Sequence, residues 1–173
     1  VDIINNDLAN TIGNLLNRTL SMSRKWFDNK VPNIDNISNE NRLENIVKIS
    51  VENYINKFDM YKLDLAANEV LSLAINTNLY LNDNQPWILI KEKNNIAFVR
   101  EVIYNVLEST RIIGLLLLPL LPELSSKINE QLGSIYKKDV PWKKQLIWGL
   151  LTSNSSLPKP TPVINKLEYE QHI

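Results

Sequence analysis

Leu8-Ala9-Asn10-Thr11-Ile12-Gly13-Asn14-Leu15-Leu16-Asn17-Arg18-Thr19-Leu20 decides the class of fold. Its apolar residues Leu8, Ile12, Leu15, Leu16 and Leu20 recur three or four apart, the spacing of one buried stripe on an α-helix. The stripe predicts a helix over about residues 6–27, stopped by Val31-Pro32, since proline removes a donor and restricts its predecessor.

The same period runs outward along the chain. A second helix is expected to begin near Ser38 or Asn39, either of which can cap free amide groups, and to end around Phe58. It carries Leu43, Ile46, Val47, Val51, Tyr54 and Ile55 inward. A third, over 63–81, turns Leu65, Ala66, Val70, Leu73 and Ala74 inward and runs into a polar turn, Asn82-Asp83-Asn84-Gln85-Pro86. A fourth covers roughly 95–118, and a fifth 122–132 ends at Gly133, a residue suited to a helix C-terminus. No run shows the sustained alternation of a half-buried strand. Beyond Pro141, the stretch Leu157-Pro158-Lys159-Pro160-Thr161-Pro162 must be extended. The expected fold is all-α: a five-helix bundle over residues 1–153 and an extended C-terminal tail over 154–173, more mobile than the bundle from about Ser153.

Composition narrows the function. A length of 173 residues, 44% of them hydrophobic, is ample for one domain with its own core. With 4 glycines, no cysteine and 22% charged residues, neither a disulfide-stapled secreted scaffold nor a disordered segment fits, and the expected home is a reducing one, the cytoplasm or an organelle matrix or stroma. The 19 basic and 19 acidic residues cancel, so no global positive field pulls non-specifically on nucleic acid; this counts mildly against an RNA partner, and DNA is not an expected partner either. Ile112 to Leu121, the longest apolar stretch, is too short for a membrane span and contains Pro119. Val1 in place of methionine suggests an excised piece of a longer chain.

Most enzyme chemistry lacks its residues. His172 is the lone histidine, so serine–histidine and cysteine–histidine pairs and histidine-bound zinc are excluded, and no glycine-rich phosphate loop is present. Asp59, Asp64, Glu69, Glu101, Glu108 and Glu123 are scattered as solvated helix faces usually are, with no pairing suited to acid/base work. Neither a catalytic nor a metal-binding residue is expected.

Two features stand out. At about 100° per residue, Asn14, Arg18, Ser21 and Lys25 share a face of the first helix opposite its leucine stripe. Geometry alone favours an ordinary wet face over a binding face. Trp87, after Gln85-Pro86, falls between the third and fourth helices; pattern alone favours a core residue there, as expected of Trp26 and Trp148, over a flat platform for a base.

Resemblance bears on both. Residues 5–18, Asn5-Asn6-Asp7-Leu8-Ala9-Asn10-Thr11-Ile12-Gly13-Asn14-Leu15-Leu16-Asn17-Arg18, resemble the start of the anticodon-binding domain of methionyl-tRNA synthetases, a class I family. Tyr80-Leu81 through Pro86-Trp87 resembles that family's tryptophan-bearing loop. Leu118-Pro119-Leu120-Leu121-Pro122, Lys127-Ile128 and Gln131-Leu132-Gly133 resemble its next helix, and Trp148-Gly149-Leu150 with Lys159-Pro160-Thr161-Pro162 its closing segment. All four stand in the family's order.

The resemblance implies that Asn14 and Arg18 approach the first base of a CAU anticodon, that Trp87 stacks on the anticodon, and that Pro86 supports its loop. Amide and guanidinium groups suit the acceptors of a splayed cytosine, and an indole stacks with little regard to sequence. The implied partners are methionine tRNA and the catalytic domain of the same polypeptide, towards which the tail would return. ATP with magnesium and methionine would belong to that domain; this chain, lacking it, is expected to hold no cofactor and to be inactive alone. Ser21-Met22-Ser23-Arg24-Lys25 is superficially similar to the family's second ATP signature but lacks its leading lysine and sits within a helix, so it is set aside. Val163-Ile164-Asn165-Lys166-Leu167-Glu168 departs from the family's usual tail. Two competing readings are a helical protein-interaction scaffold and the anticodon domain of a valine, isoleucine or leucine ligase.

Overall fold

From Val102 through Leu117 every residue is buried, and this run forms the second half and more of a 22-residue helix, Ile96–Leu117, around which the rest is arranged. A helix that is apolar on all sides has to be surrounded. The computed structural model describes residues 2–34, 42–159 and 161. In chain order its helices are α1 (Asp2–Trp26), α2 (Arg42–Asp59), α3 (Leu63–Asn84), α4 (Pro86–Leu89), α5 (Ile96–Leu117) and α6 (Pro122–Gln131). Short 3-10 turns lie at Lys93–Asn95 and Trp142–Gln145. Helices α1, α2, α3 and α6 all pack on α5, and α3 also packs on α1 and α2. The five long helices are the bundle that the periodicity predicts; α4, a single turn, is not foreseen by it.

The stripes fall largely where expected. Ile12, Leu15, Leu16 and Leu20 of α1, Leu43, Val47 and Tyr54 of α2, and Ala66, Val70, Leu73 and Ala74 of α3 are buried. Ile46, Val51 and Ile55 pack half-buried against them, as do Trp26 and Trp148. Leu65 is a miss: it is 40% exposed, because the α3 stripe runs through Ala66, Val70, Leu73, Thr77 and Leu81 and leaves Leu65 about 100° outside it.

Helix α1 stops at Trp26, where the periodicity ends it, but the stop is made by Asp28 and Asn29 at left-handed φ of 54° and 55°, a conformation these residues tolerate, before Pro32 is reached. Helix α3 continues through Asn82, Asp83 and Asn84, expected to be a turn, and asparagine amides donate back to carbonyls one turn earlier, Asn84 to Tyr80 at 2.8 Å and Asn78 to Ala74 at 3.3 Å. The break comes at Gln85 (φ 42°, ψ 53°), which precedes Pro86 and is driven from right-handed helix by it. The Ser38 or Asn39 cap lies outside the described residues. Gly133, at φ +94°, takes the left-handed position after α6 as expected.

Of the six scattered carboxylates, Asp59, Asp64 and Glu123 are exposed, while Glu69 is half-buried and paired with Lys57. Glu108 overturns the solvated-face reading, for it has no exposed surface. Its Oε1 accepts from Arg111 Nη2 at 2.7 Å, from the Gly149 amide at 2.7 Å and from the Leu150 amide at 3.1 Å. Its Oε2 accepts from Arg111 Nε at 2.8 Å and from the Leu151 amide at 3.1 Å. Arg111 also donates to the carbonyls of Gln145 at 2.7 Å and Ile147 at 2.8 Å. The pair therefore fastens residues 145–151 onto α5, and Tyr104 adds a hydrogen bond to the Leu151 carbonyl at 3.0 Å.

The extended segment that follows is stitched to the end of α1. The Val31 amide donates to Ser155 O at 2.9 Å, the Asn154 amide to Val31 O at 2.9 Å and the Leu157 amide to Asn29 O at 2.7 Å, around an isolated antiparallel bridge between Lys30 and Ser156. Leu157 is buried, and Gln131 exchanges two hydrogen bonds with Thr161. Attachment to the bundle thus extends past Ser153, to Thr161.

Removing the Glu108 carboxylate strands Arg111 and three backbone amides. Glu108→Ala is expected to cost about 3–5 kcal/mol of folding stability, the range for breaking a buried ion pair from one side. Denaturant titration beside an exposed control such as Glu123→Ala measures it.

Candidate functional site

The line of polar residues on α1 is exposed as its geometry predicts: Asn14, Arg18, Ser21 and Lys25 all face solvent. Arg18 reaches across to the last turns of α3, where its Nη2 donates to Asn82 Oδ1 at 3.1 Å. Trp87 stands on α4 rather than on an irregular loop. Pro86 fills the first position of that turn, where its missing N–H is not needed, and is itself buried. The Gln85 carbonyl accepts from the Ile88 amide at 2.9 Å, and Pro86 O from the Ile90 amide at 2.9 Å. These bonds hold the turn rigid and present the indole outward.

The two residues singled out separately in the sequence therefore meet. The Arg18 guanidinium carbon lies 5.5 Å from the centre of the Trp87 ring, a cation–π arrangement. Trp87 keeps 37% of its surface exposed, so it is neither a core residue nor a free side chain. With Asn17, Ser21 and Met22 the pair lines an open depression of about 280 Å³. Asn14 sits one helical turn before Arg18 on the same exposed face and is not among the lining residues. Asn17, Met22 and Asn82 went unnoticed in the sequence. Met22 could have been found four residues after Arg18, one turn on; Asn82 was hidden by reading residues 82–84 as a turn.

Beside the depression, Asp83 pairs with Arg42 of α2 at 3.8 Å. Both are exposed, so the pair adds little stability. Arg18 uses one N–H on Asn82, and its remaining donors have no partner among the described residues. The depression thus offers a flat aromatic face, a cation with free N–H groups and neutral amides at its edge, which suits a planar base with acceptor atoms. A larger hollow of about 580 Å³, walled by Leu115, Leu118, Tyr136 and Trp142, includes none of the sequence-predicted site residues. Among the described residues, no three His, Cys, Asp or Glu side chains are grouped to hold a metal ion, and no helix is long and apolar enough to cross a membrane.

Known proteins share both sequence and fold with the chain. Residues 31–173 match the family model described as the anticodon binding domain of methionyl tRNA ligase. The methionine–tRNA ligase of Thermosynechococcus vestitus is 35% identical over 175 residues, covering 96% of this chain and 33% of that protein. The methionine–tRNA ligase of Bacillus subtilis is 32% identical over 175 residues, covering 100% and 26%. Free-state methionyl-tRNA synthetase of Mycobacterium tuberculosis superposes with a TM-score of 0.77 at 31% identity, over 92% of this chain and 32% of that one. The same enzyme has been solved with methionyl-adenylate. The chain spans about a quarter to a third of the length of these relatives. With most of its length matched, and with this helical fold, the chain belongs to the methionyl-tRNA ligase family, as its anticodon-binding domain.

Proposed function

We propose that the depression at Arg18 and Trp87 receives the CAU anticodon of methionine tRNA, and that the chain is the recognition module of a ligase that joins methionine to that tRNA. The observation that carries this reading is the exposed indole of Trp87 with the Arg18 guanidinium over it. Trp87 supplies stacking, Arg18 and Asn14 supply donors to the first base, and Pro86 fixes the turn that holds the ring. ATP, magnesium and methionine are handled by a catalytic domain outside this chain, towards which the tail beyond residue 153 leads. The working compartment is the cytoplasm, or an organelle matrix or stroma, where tRNA is charged.

If Arg18 reads the first base, Arg18→Ala weakens binding to a CAU stem-loop more than to a loop with another first base. A good base contact is worth about 1–3 kcal/mol of discrimination, whereas a phosphate contact carries none. Parallel titrations of both loops measure the difference, and equal losses would reduce Arg18 to a backbone contact.

For Trp87 the competing roles separate in one mutant. Trp87→Ala is expected to cost roughly 1–3 kcal/mol in stem-loop binding while leaving the fold largely intact, because 37% of the residue's surface is already exposed. A core tryptophan would instead lose roughly 3–5 kcal/mol of stability. Thermal melting and titration of the same sample decide between them.

The division of labour has its own test. The purified chain is expected to give no methionine-dependent exchange of pyrophosphate into ATP, and exchange above a blank would refute it.

A further inference from the structure

We infer that Asn82 is a positioning residue for base selection: it fixes the Arg18 guanidinium over Trp87 before any RNA arrives. The inference rests on the anticodon reading above and names a residue to which that reading gives no role.

Three observations carry it. The first is that Asn82 and Trp87 are neighbours along the chain, since Asn82 lies in the last turns of α3 and only Gln85 separates α3 from the turn bearing Trp87. Arg18, on α1, is tied to that stretch twice, by the 3.1 Å hydrogen bond to Asn82 Oδ1 and by its place 5.5 Å from the indole centre. The second is chemical: the anchor is an amide oxygen, an acceptor that orients one N–H of the guanidinium and leaves its other donors open. The third is that Asp83, the adjacent carboxylate, is paired with Arg42 on the α2 side, and no ion pair joins it to Arg18 among the described residues.

A free arginine side chain has several rotatable bonds and loses that freedom when it docks on a base. One already held has less to lose, so the preference for a matching base is sharpened before contact. Asn82 itself need not touch the RNA.

The test uses the chain with Asn82→Leu, Asn82→Ala and Asn82→Asp, each alone and with Arg18→Ala. Asn82→Leu and Asn82→Ala are expected to lower the preference for a CAU stem-loop over one with another first base by about fivefold or more, the lower end of what one base contact is worth. Asn82→Asp keeps an acceptor oxygen in place and is expected to retain the preference. In the Arg18→Ala background none of the three should change it further. A second readout needs no RNA: with 5-fluorotryptophan incorporated, the ¹⁹F resonance assigned to Trp87 by its loss in Trp87→Phe should move similarly in Asn82→Leu and Arg18→Ala. A wild-type chain that prefers no loop would sink the anticodon reading itself. A wild-type chain that prefers CAU, with Asn82→Leu and Asn82→Ala preferring it equally, would overturn this inference alone. So would a loss that persists undiminished in the Arg18→Ala background, or an unmoved Trp87 resonance.

Discussion

A carboxylate with no access to water has to be matched by donors, and Glu108 is matched by Arg111 and by the amides of Gly149, Leu150 and Leu151. Much of the remaining geometry depends on that match. Arg111, turned by Glu108, accepts its place by donating to Gln145 O and Ile147 O, so the chain after α6 is pulled back along α5. The returning chain then meets residues 29–31 through its Asn154 to Leu157 segment, and this fastens the C-terminal end of α1. Helix α1 carries Arg18. A buried ion pair is weak evidence for extra stability, since apolar residues of the same volume often do as well. What this pair supplies is register, because three consecutive amides are met by two oxygens in one arrangement only, and Gly149 at φ +87° is the residue that lets the backbone take it.

At the other end of α5 the structure spends stability instead of gaining it. Gln85 holds a left-handed conformation without being glycine, and Trp87 leaves over a third of its surface in water. Either feature alone would be unremarkable. Together, next to a guanidinium anchored from a second helix, they describe a ring kept outside the core on a short rigid support. Strain of this kind persists where the surroundings over-determine it. Here Pro86, buried at the start of the turn, and the amides of Ile88 and Ile90 do so.

The fold was legible in proportion to how much of it is written in apolar period. Ile12, Leu15, Leu16 and Leu20, or Val70, Leu73 and Ala74, announce a helix and its inner face, and each is buried as read. Polar residues doing structural work carry no such mark. Glu108 and Arg111 are three apart, as many solvated pairs on wet helices are, and only the return of residues 145–151 distinguishes them. Asparagines misled in a similar way: Asn82 to Asn84 have the composition of a turn, yet their amides can back-bond within a helix, which hid both the length of α3 and the neighbour of Arg18. Of the site, the exposed face through Asn14 and Arg18 was legible from geometry, and the roles at Arg18 and Trp87 came from resemblance. That the two side chains touch was in neither, since 69 positions separate residues 18 and 87 and only the packing of α1 on α3 brings them together.

Charge explains the kind of recognition this arrangement is fitted for. With 19 basic and 19 acidic residues the chain lacks the broad positive field that gives non-specific RNA binding its strength and its salt dependence. The cation in the depression is itself half-engaged, with one N–H on Asn82 and its face on an indole. Such a site is fitted to a base that can stack beside the ring and accept the remaining donors. Under the proposed reading, discrimination is concentrated in a few neutral or partly satisfied groups. On that reading the depression is suited to choosing a base more than to gripping a backbone.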